Sequence, residues 1–289
     1  MTMSIGIDYT AGAWKTCLTE NGQTLELCTF ANSDATLAYV ESICLLYPEP
    51  IIALSSSLET ALCSLQTLTE AQEGLNTPSE LADLHIFFTT ISALNSKNFH
   101  LPGLKSLKSV PRYRKRKRKD MGNADKLCSV ATLLYRMRQQ EASWPEMRFL
   151  YLEVGENARS IVVVKDGRII DGMNVSSEVL AEHDDESEED QQEREQAFWE
   201  GLAEDVAGLM AIHHFEDIVV IDRRSSIQDK LDKSTVVDRL GDTYQFYLFP
   251  RSESEPEGFE TAIGASLIAE GLFRPSLASE VVDRLQVKQ

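Results

Sequence analysis

The chain opens on an alternation of apolar with small or polar positions, Ile5-Gly6-Ile7-Asp8, which predicts a short strand ending on a carboxylate. Ala13–Thr19 alternates loosely, Asn21-Gly22 is a tight-turn pair, and Thr24–Phe30 resumes the alternation. Asn-Gly suits a two-residue hairpin because both central residues there need positive φ. The pattern therefore predicts a three-stranded meander. Asn32-Ser33-Asp34 offers an N-cap for an amphipathic helix over Ala35–Leu46, and Pro48 and Pro50 stop it. Ile51–Leu54 predicts a buried strand and Leu84–Phe88 another. Ser96–Lys119 carries few apolar residues in either period and reads as loop. A long helix over Ala124–Glu141 follows, closed by Trp144-Pro145.

The pattern then restarts. Met147–Glu153 is an apolar strand ending on a carboxylate, Ser160–Val164 a second strand, Asp166-Gly167 a second turn pair and Arg168–Val175 a third strand. One offset of 145 residues places Asp8 on Glu153, Asn21 on Asp166 and Gly22 on Gly167 without a gap. Such a duplication points to two similar α/β domains facing each other across a cleft. The first is expected over 1–142, with a terminal helix at 275–289 that returns to it, and the second over 143–274. After the second meander, the acidic run Glu182–Glu195 reads as a solvated loop or as the ragged start of the next helix. Gln191–His213 predicts a helix, Ile218–Ile221 a strand, Ser225–Leu240 a helix and Tyr244–Phe249 a strand. A small-residue helix over Gly258–Phe273 and a short one over Leu277–Gln286 complete the chain. Gly122-Asn123 and Ser143-Trp144-Pro145 are the expected hinges, since Gly permits unusual dihedrals and Pro ends a helix sharply.

Charge and composition narrow the function. The 289 residues carry a formal net charge of −18, which argues against a nucleic-acid-binding role. No apolar run approaches a membrane span, and the first residues resemble no signal peptide, so a cytoplasmic protein is expected. Five scattered cysteines without CxxC spacing read as free thiols rather than a zinc site or a disulfide framework. Arg112–Lys119 holds seven cationic residues in eight. It reads either as an anion site or as a solvated loop paired with the acidic run.

Each meander begins with a turn that suits phosphate. Asp8 ends a strand and could orient Mg²⁺ through its waters, while Thr10, Gly12 and backbone N–H groups face the anion. Glu153, Gly155 and Asn157 occupy the matching turn. Two ordinary hairpins with acidic ends are the plainer reading; the shared register favours a clamp on a polyphosphate.

These residues carry a resemblance. Gly6-Ile7-Asp8-Tyr9-Thr10-Ala11-Gly12 resembles the first phosphate motif of the acetate and sugar kinase, Hsc70 and actin superfamily. Leu152-Glu153-Val154-Gly155 with Ile161–Asp171 resembles its second, and Glu260–Ala269 the small-residue helix of its adenosine motif. Asp120–Cys128 and Val164–Gly172 are similar to stretches of the predicted butyrate kinases. The resemblance implies an α/β chain of two ribonuclease-H-like (actin-like ATPase) domains, with ATP and Mg²⁺ in the cleft. It implies an ATP-dependent phosphotransferase with a small acid as acceptor; a homodimer is one possible assembly.

The same resemblance implies catalytic roles for Asp8, Lys15, Asp125 and Lys126, with Asp8 holding Mg²⁺ through water. Asp125 and Lys126 read equally as a helix cap and its neighbour. Thr10, Gly12, Glu153, Gly155 and Asn157 fall at the phosphates, and Arg223, Ser225, Gly264 and Ala265 at the nucleoside. Three positions depart from the pattern: Tyr9 stands for a Gly, Glu153 for an Asp, and Asp222-Arg223-Arg224-Ser225 for paired glycines. They motivate an alternative, a catalytically degenerate actin-like protein that serves as a binding or scaffolding module.

Overall fold

The computed structural model describes residues 3–10, 13–72, 79–155, 158–175, 188–223, 236, 240, 244–252 and 255–288. Contacts divide the chain into two units, one of Met1–Val110, Gly122–Ala142 and Arg251–Gln289, the other of Pro111–Met121 and Ser143–Pro250. The expected limits of 1–142 and 143–274 differ from these in two segments: 111–121 joins the second unit, and 251–274 the first. The expected hinges at Gly122-Asn123 and Ser143-Trp144-Pro145 coincide with two of the crossings between units.

The first unit is built on the first meander. Strands β1 (Met3–Thr10), β2 (Ala13–Glu20) and β3 (Gln23–Phe30) run antiparallel, and the Asn21-Gly22 turn takes φ of 51° and 74°. Helix α1 (Ser33–Leu46) starts where Asn32 Oδ1 accepts the Ala35 N–H at 2.9 Å. Strand β4 (Ile51–Ser56) pairs parallel with β1; β5 (Cys63–Ser64) and β6 (Lys97–His100) complete a sheet ordered β3-β2-β1-β4-β6-β5. Met3, Ile5 and Ile7 point to one face of β1, into a core shared with helices α1, α2 (Leu65–Gln72) and α3 (Ser79–Ser92).

The other face of β1 carries Ser4, Gly6 and Asp8. It meets α7 (Glu260–Phe273), and a Cβ on Gly6 would lie 2.0 Å from the Ala262 carbonyl oxygen. On its far side α7 packs against α5 (Ala124–Gln139), where a Cβ on Gly264 would lie 1.9 Å from the Cys128 oxygen. The small residues of α7 thus let it approach both a strand and a helix at backbone distance. Helix α8 (Leu277–Leu285) closes the unit with Val281, Val282 and Leu285 buried.

The second unit repeats the design. Strands β7 (Phe149–Val154), β8 (Arg159–Lys165) and β9 (Arg168–Val175) form the second meander, with Asp166 and Gly167 at φ of 52° and 71°. With β10 (Asp217–Asp222) and β11 (Gln245–Leu248) they give the order β11-β10-β7-β8-β9, which matches β6-β4-β1-β2-β3. The 145-residue offset extends to detail: the ladder slips at Leu18/Thr19 in one copy and at Val163/Val164 in the other. Helix α6 (Glu188–His213) covers this sheet with Phe198, Leu202, Val206 and Leu209.

The structure corrects two expectations. Leu84–Phe88 belongs to α3, because Leu84, Phe87, Phe88 and Ile91 fall at helical spacing on one buried face. Ser96–Lys119 is not loop throughout: it contains β6, a 3₁₀ turn at Leu104–Ser106 and helix α4 (Arg112–Lys117), anchored by buried Leu101, Leu104, Leu107 and Val110. The acidic run is the start of a helix from Glu188 onward, the second of its two expected readings, while its residues 182–187 lie outside the described residues. So does the helix expected over Ser225–Leu240, Val236 and Leu240 excepted.

Candidate functional site

In the first unit the alternation of β1 puts Asp8 on the face turned to α7 and α5. Antiparallel register sets Lys15 opposite Asp8, and parallel register sets Ser55 beside it. Asp8 is buried. Asp125 stands in the first turn of α5, where a carboxylate suits the positive end of the helix dipole. The Lys126 ammonium lies 2.8 Å from the Asp125 Oδ2. Burial, reinforced by the negative charges of Asp8 and then Asp125, pushes the Cys128 thiol well above its ordinary pKa. Two carboxylates 117 positions apart therefore act on one buried thiol, and a lysine accompanies them.

Lys15 is committed elsewhere. Its Nζ donates to the Gly258 oxygen at 2.9 Å and lies 5.6 Å from the centre of the Phe259 ring, so its charge secures the entry to α7. Gly264 and Ala265 sit on α7, and the space left by the missing Gly264 side chain is filled by α5 backbone. Thr10 ends β1, and Gly12 lies outside the described residues.

The second unit treats the equivalent carboxylate differently. Glu153 Oε1 accepts from Arg223 Nε at 2.7 Å, and its Oε2 accepts from the Tyr151 hydroxyl at 2.7 Å. The Arg223 N–H donates to the Val154 oxygen at 2.8 Å, which holds the arginine at the end of β7. The Gly155 N–H closes its turn on the Ala158 oxygen at 2.8 Å. Asn157 and Ser225 lie outside the described residues. The Arg223–Glu153 pair was not legible in the sequence, because it depends on β10 lying parallel beside β7.

The basic run is helical rather than loop, and part of it turns inward. It forms α4, and Arg114 is buried. Arg114 Nη1 lies 3.2 Å from Asp171 Oδ2, Arg118 Nε 3.7 Å from Asp171 Oδ1, and His213 Nε2 3.4 Å from Asp171 Oδ2. Asp171 is fully buried and also accepts the Gly172 N–H at 3.0 Å. Burial lowers the His213 pKa, and Asp171 opposes that shift.

Among the described residues no group of three or more His, Cys, Asp or Glu could hold a metal ion. The oxygen donors Asp8 and Asp125 fit a hard cation ligated mainly by water and phosphate, as Mg²⁺ is. On the side a Gly264 Cβ would take, α5 backbone leaves no room for a ligand.

The signature of the family described as "Protein of unknown function (DUF1464)" matches residues 26–180, more than half of the chain. The chain belongs to the DUF1464 family. No curated protein sequence matches this DUF1464 chain. Among solved structures it is similar to the PilM–PilN type IV pilus biogenesis complex, with a TM-score of 0.52, 13% identity and coverage of 92% of this chain and 98% of the other. It is also similar to a ROK family protein from Streptococcus pneumoniae TIGR4 in complex with sucrose, at 0.50, 9% identity and 98% of each chain. Lmo2764, an N-acetylmannosamine kinase candidate from Listeria monocytogenes, matches at 0.50, 9% identity, 93% of this chain and 98% of its own. The DUF1464 chain has the actin-like ATPase fold, with two ribonuclease-H-like domains. No described helix is long and apolar enough to cross a membrane.

Proposed function

We propose that this DUF1464 chain is an ATP-dependent phosphotransferase acting on a small acid, as the predicted butyrate kinases it resembles are expected to be. The reading rests on Asp8, near the C-terminal end of β1, and on the Asp125–Lys126 ion pair at the start of α5, with both carboxylates raising the pKa of the buried Cys128 thiol. In an α/β sheet, ligands collect at the carboxyl ends of the strands. Bound Mg-ATP would supply the phosphoryl group and neutralise part of its charge. Asp8 would hold metal-bound water, Lys126 would offset developing negative charge, and Asp125 would keep Lys126 in place. Phosphoryl transfer asks little of a protein beyond such positioning and charge.

A second reading is a binding module of the same fold. It is favoured by the Arg223–Glu153 pair, which neutralises the carboxylate of the second turn. The similarity to PilM, in a structure with PilN, is consistent with an actin-like chain that serves assembly.

One assay separates the two. The protein is incubated with Mg-ATP and a panel of short-chain carboxylates, and acyl phosphate is trapped as hydroxamate. The phosphotransferase reading expects product with at least one acid, and a loss on the order of 100-fold or more in Asp8→Asn. Absence of both acyl phosphate and ADP across the panel sinks it and leaves the binding module.

A further inference from the structure

We propose that the outer edge of β3 is a docking edge for a basic segment of a partner protein, one that carries two arginines four positions apart followed by an extended stretch. Strand β9 is the edge of the second sheet, and the chain covers it with its own residues 111–121. Arg114 and Arg118, four apart, reach Asp171. Two residues on, the Asp120 oxygen accepts the Asn174 N–H at 3.3 Å, and Asp120 Oδ2 accepts from Asn174 Nδ2 at 2.7 Å. A basic turn followed by an extended carbonyl thus seals the edge.

The same offset of 145 residues maps Asp171 onto Glu26 and Asn174 onto Thr29, both on β3. The surroundings correspond. Asp171 meets His213 on α6, the helix after its meander; Glu26 Oε2 accepts from Tyr39 on α1, the helix after the first, at 2.9 Å. Yet Glu26 and Thr29 are exposed, and among the described residues β3 pairs with β2 alone. The carboxylate that receives the arginines is present in the first copy, and among the described residues no arginine pairs with it.

Two further features mark this edge as built for pairing. Natural edge strands are guarded by Lys, Pro or short length. β3 has eight residues, Gln-Thr-Leu-Glu-Leu-Cys-Thr-Phe, with no Lys, Arg or Pro, and Leu25 is 52% exposed. A groove of about 620 Å³ also runs along residues 22–27, between β3 and the side chains of Tyr135, Arg136 and Glu255. Arg136 and Glu255 form an ion pair with each other, and Glu26 is the one charged residue of β3. Such an edge takes an added strand or segment through backbone hydrogen bonds, with side-chain sites setting specificity. The chain's own basic segment, and that of any second copy, is already engaged at β9, which leaves a different protein as the occupant.

The probe is a fluorescein-labelled peptide of residues 111–121, Pro-Arg-Tyr-Arg-Lys-Arg-Lys-Arg-Lys-Asp-Met, titrated by anisotropy against the full chain at 150 mM salt. Exposed ion pairs are weak and screened, so affinity in the range of tens to hundreds of micromolar is expected. Glu26→Lys and Thr29→Pro should each weaken it tenfold or more. The proline removes one outward N–H, which an edge strand tolerates, and unchanged far-UV circular dichroism confirms the fold. A peptide with Ala for Arg114 and Arg118 should lose as much. The proposal is overturned by any of three results: no binding at millimolar peptide, equal binding of a scrambled peptide, or binding that ignores Glu26→Lys but falls in Asp171→Asn, which would place the peptide on β9. None of these variants touches Asp8, Asp125 or Lys126, so a failure here is separable from a failure of phosphotransfer.

Discussion

Substituting Gly264 tests whether α7 is a packing helix or the wall of a ligand site. A Cβ there would stand 1.9 Å from the Cys128 oxygen, 2.4 Å from its carbonyl carbon and 2.8 Å from its Cα. All three are backbone atoms of α5, so no side chain can swing aside. Restoring ordinary contact moves one helix by more than ~1 Å in an interior packed to crystal density. Overpacking of a core costs about 1–3 kcal/mol where side chains can adjust, and more where backbone is struck. Helix propensity returns only about 1 kcal/mol for Gly to Ala. Gly264→Ala is therefore expected to lose about 3 kcal/mol, read as a lower urea midpoint at unchanged m-value. Gly208, exposed on α6 with nothing within 4 Å of its hypothetical Cβ, is the control, and Gly208→Ala should gain up to about 1 kcal/mol. A Gly264→Ala protein as stable as wild type would refute the packing argument and return Gly264 to the list of ligand-lining positions.

The remaining predictions concern buried charge. His100 is fully buried, with Ser56 Oγ 2.8 Å from Nε2 and Thr60 Oγ1 2.6 Å from Nδ1, and burial lowers its pKa from 6.5 to about 4. The unfolded chain thus takes the proton first, so the neutral imidazole's contribution is complete above pH 6.5 and is lost as pH falls towards 4. The stability advantage of wild type over His100→Asn should shrink by about 3 kcal/mol across that window in urea titrations, and a constant gap would contradict the assignment. Arg114→Met leaves Asp171 buried with weaker partners and should cost about 3 kcal/mol; adding Asp171→Asn should recover part of it, and strict additivity of the two would argue against the pair.

The repeat was legible because its punctuation is local. Asn21-Gly22 and Asp166-Gly167 announce their turns, and the spacing from Asp8 to Gly22 recurs from Glu153 to Gly167. Short apolar runs are another matter. Leu84–Phe88 reads as strand or helix until Ile91, two turns on, is seen to share the buried face of Leu84. In residues 96–119 the buried Leu101, Leu104, Leu107 and Val110 recur every three positions, a period of neither regular helix nor strand. The basic run looked solvated because its counter-charge, Asp171, lies 57 positions after Arg114 and meets it only once β9 is an edge. At the candidate site the sequence supplied Asp8, Asp125 and Lys126 but not the Arg223–Glu153 pair, which parallel strand pairing alone creates. Small residues such as Gly264 serve close packing and ligand approach equally well, so only the neighbour's position decides between them.

In the proposed function, Asp8 and its neighbours form a phosphate-handling site that uses Mg²⁺. Its most direct measurement is calorimetric titration of the full chain with Mg-ATP and with ATP in EDTA, for wild type and Asp8→Asn. The account predicts heat with a dissociation constant below about 1 mM for wild type with Mg-ATP, and weakening of tenfold or more when either Mg²⁺ or the Asp8 carboxylate is removed. Absence of heat at millimolar Mg-ATP, or binding equally tight in Asp8→Asn, would contradict it.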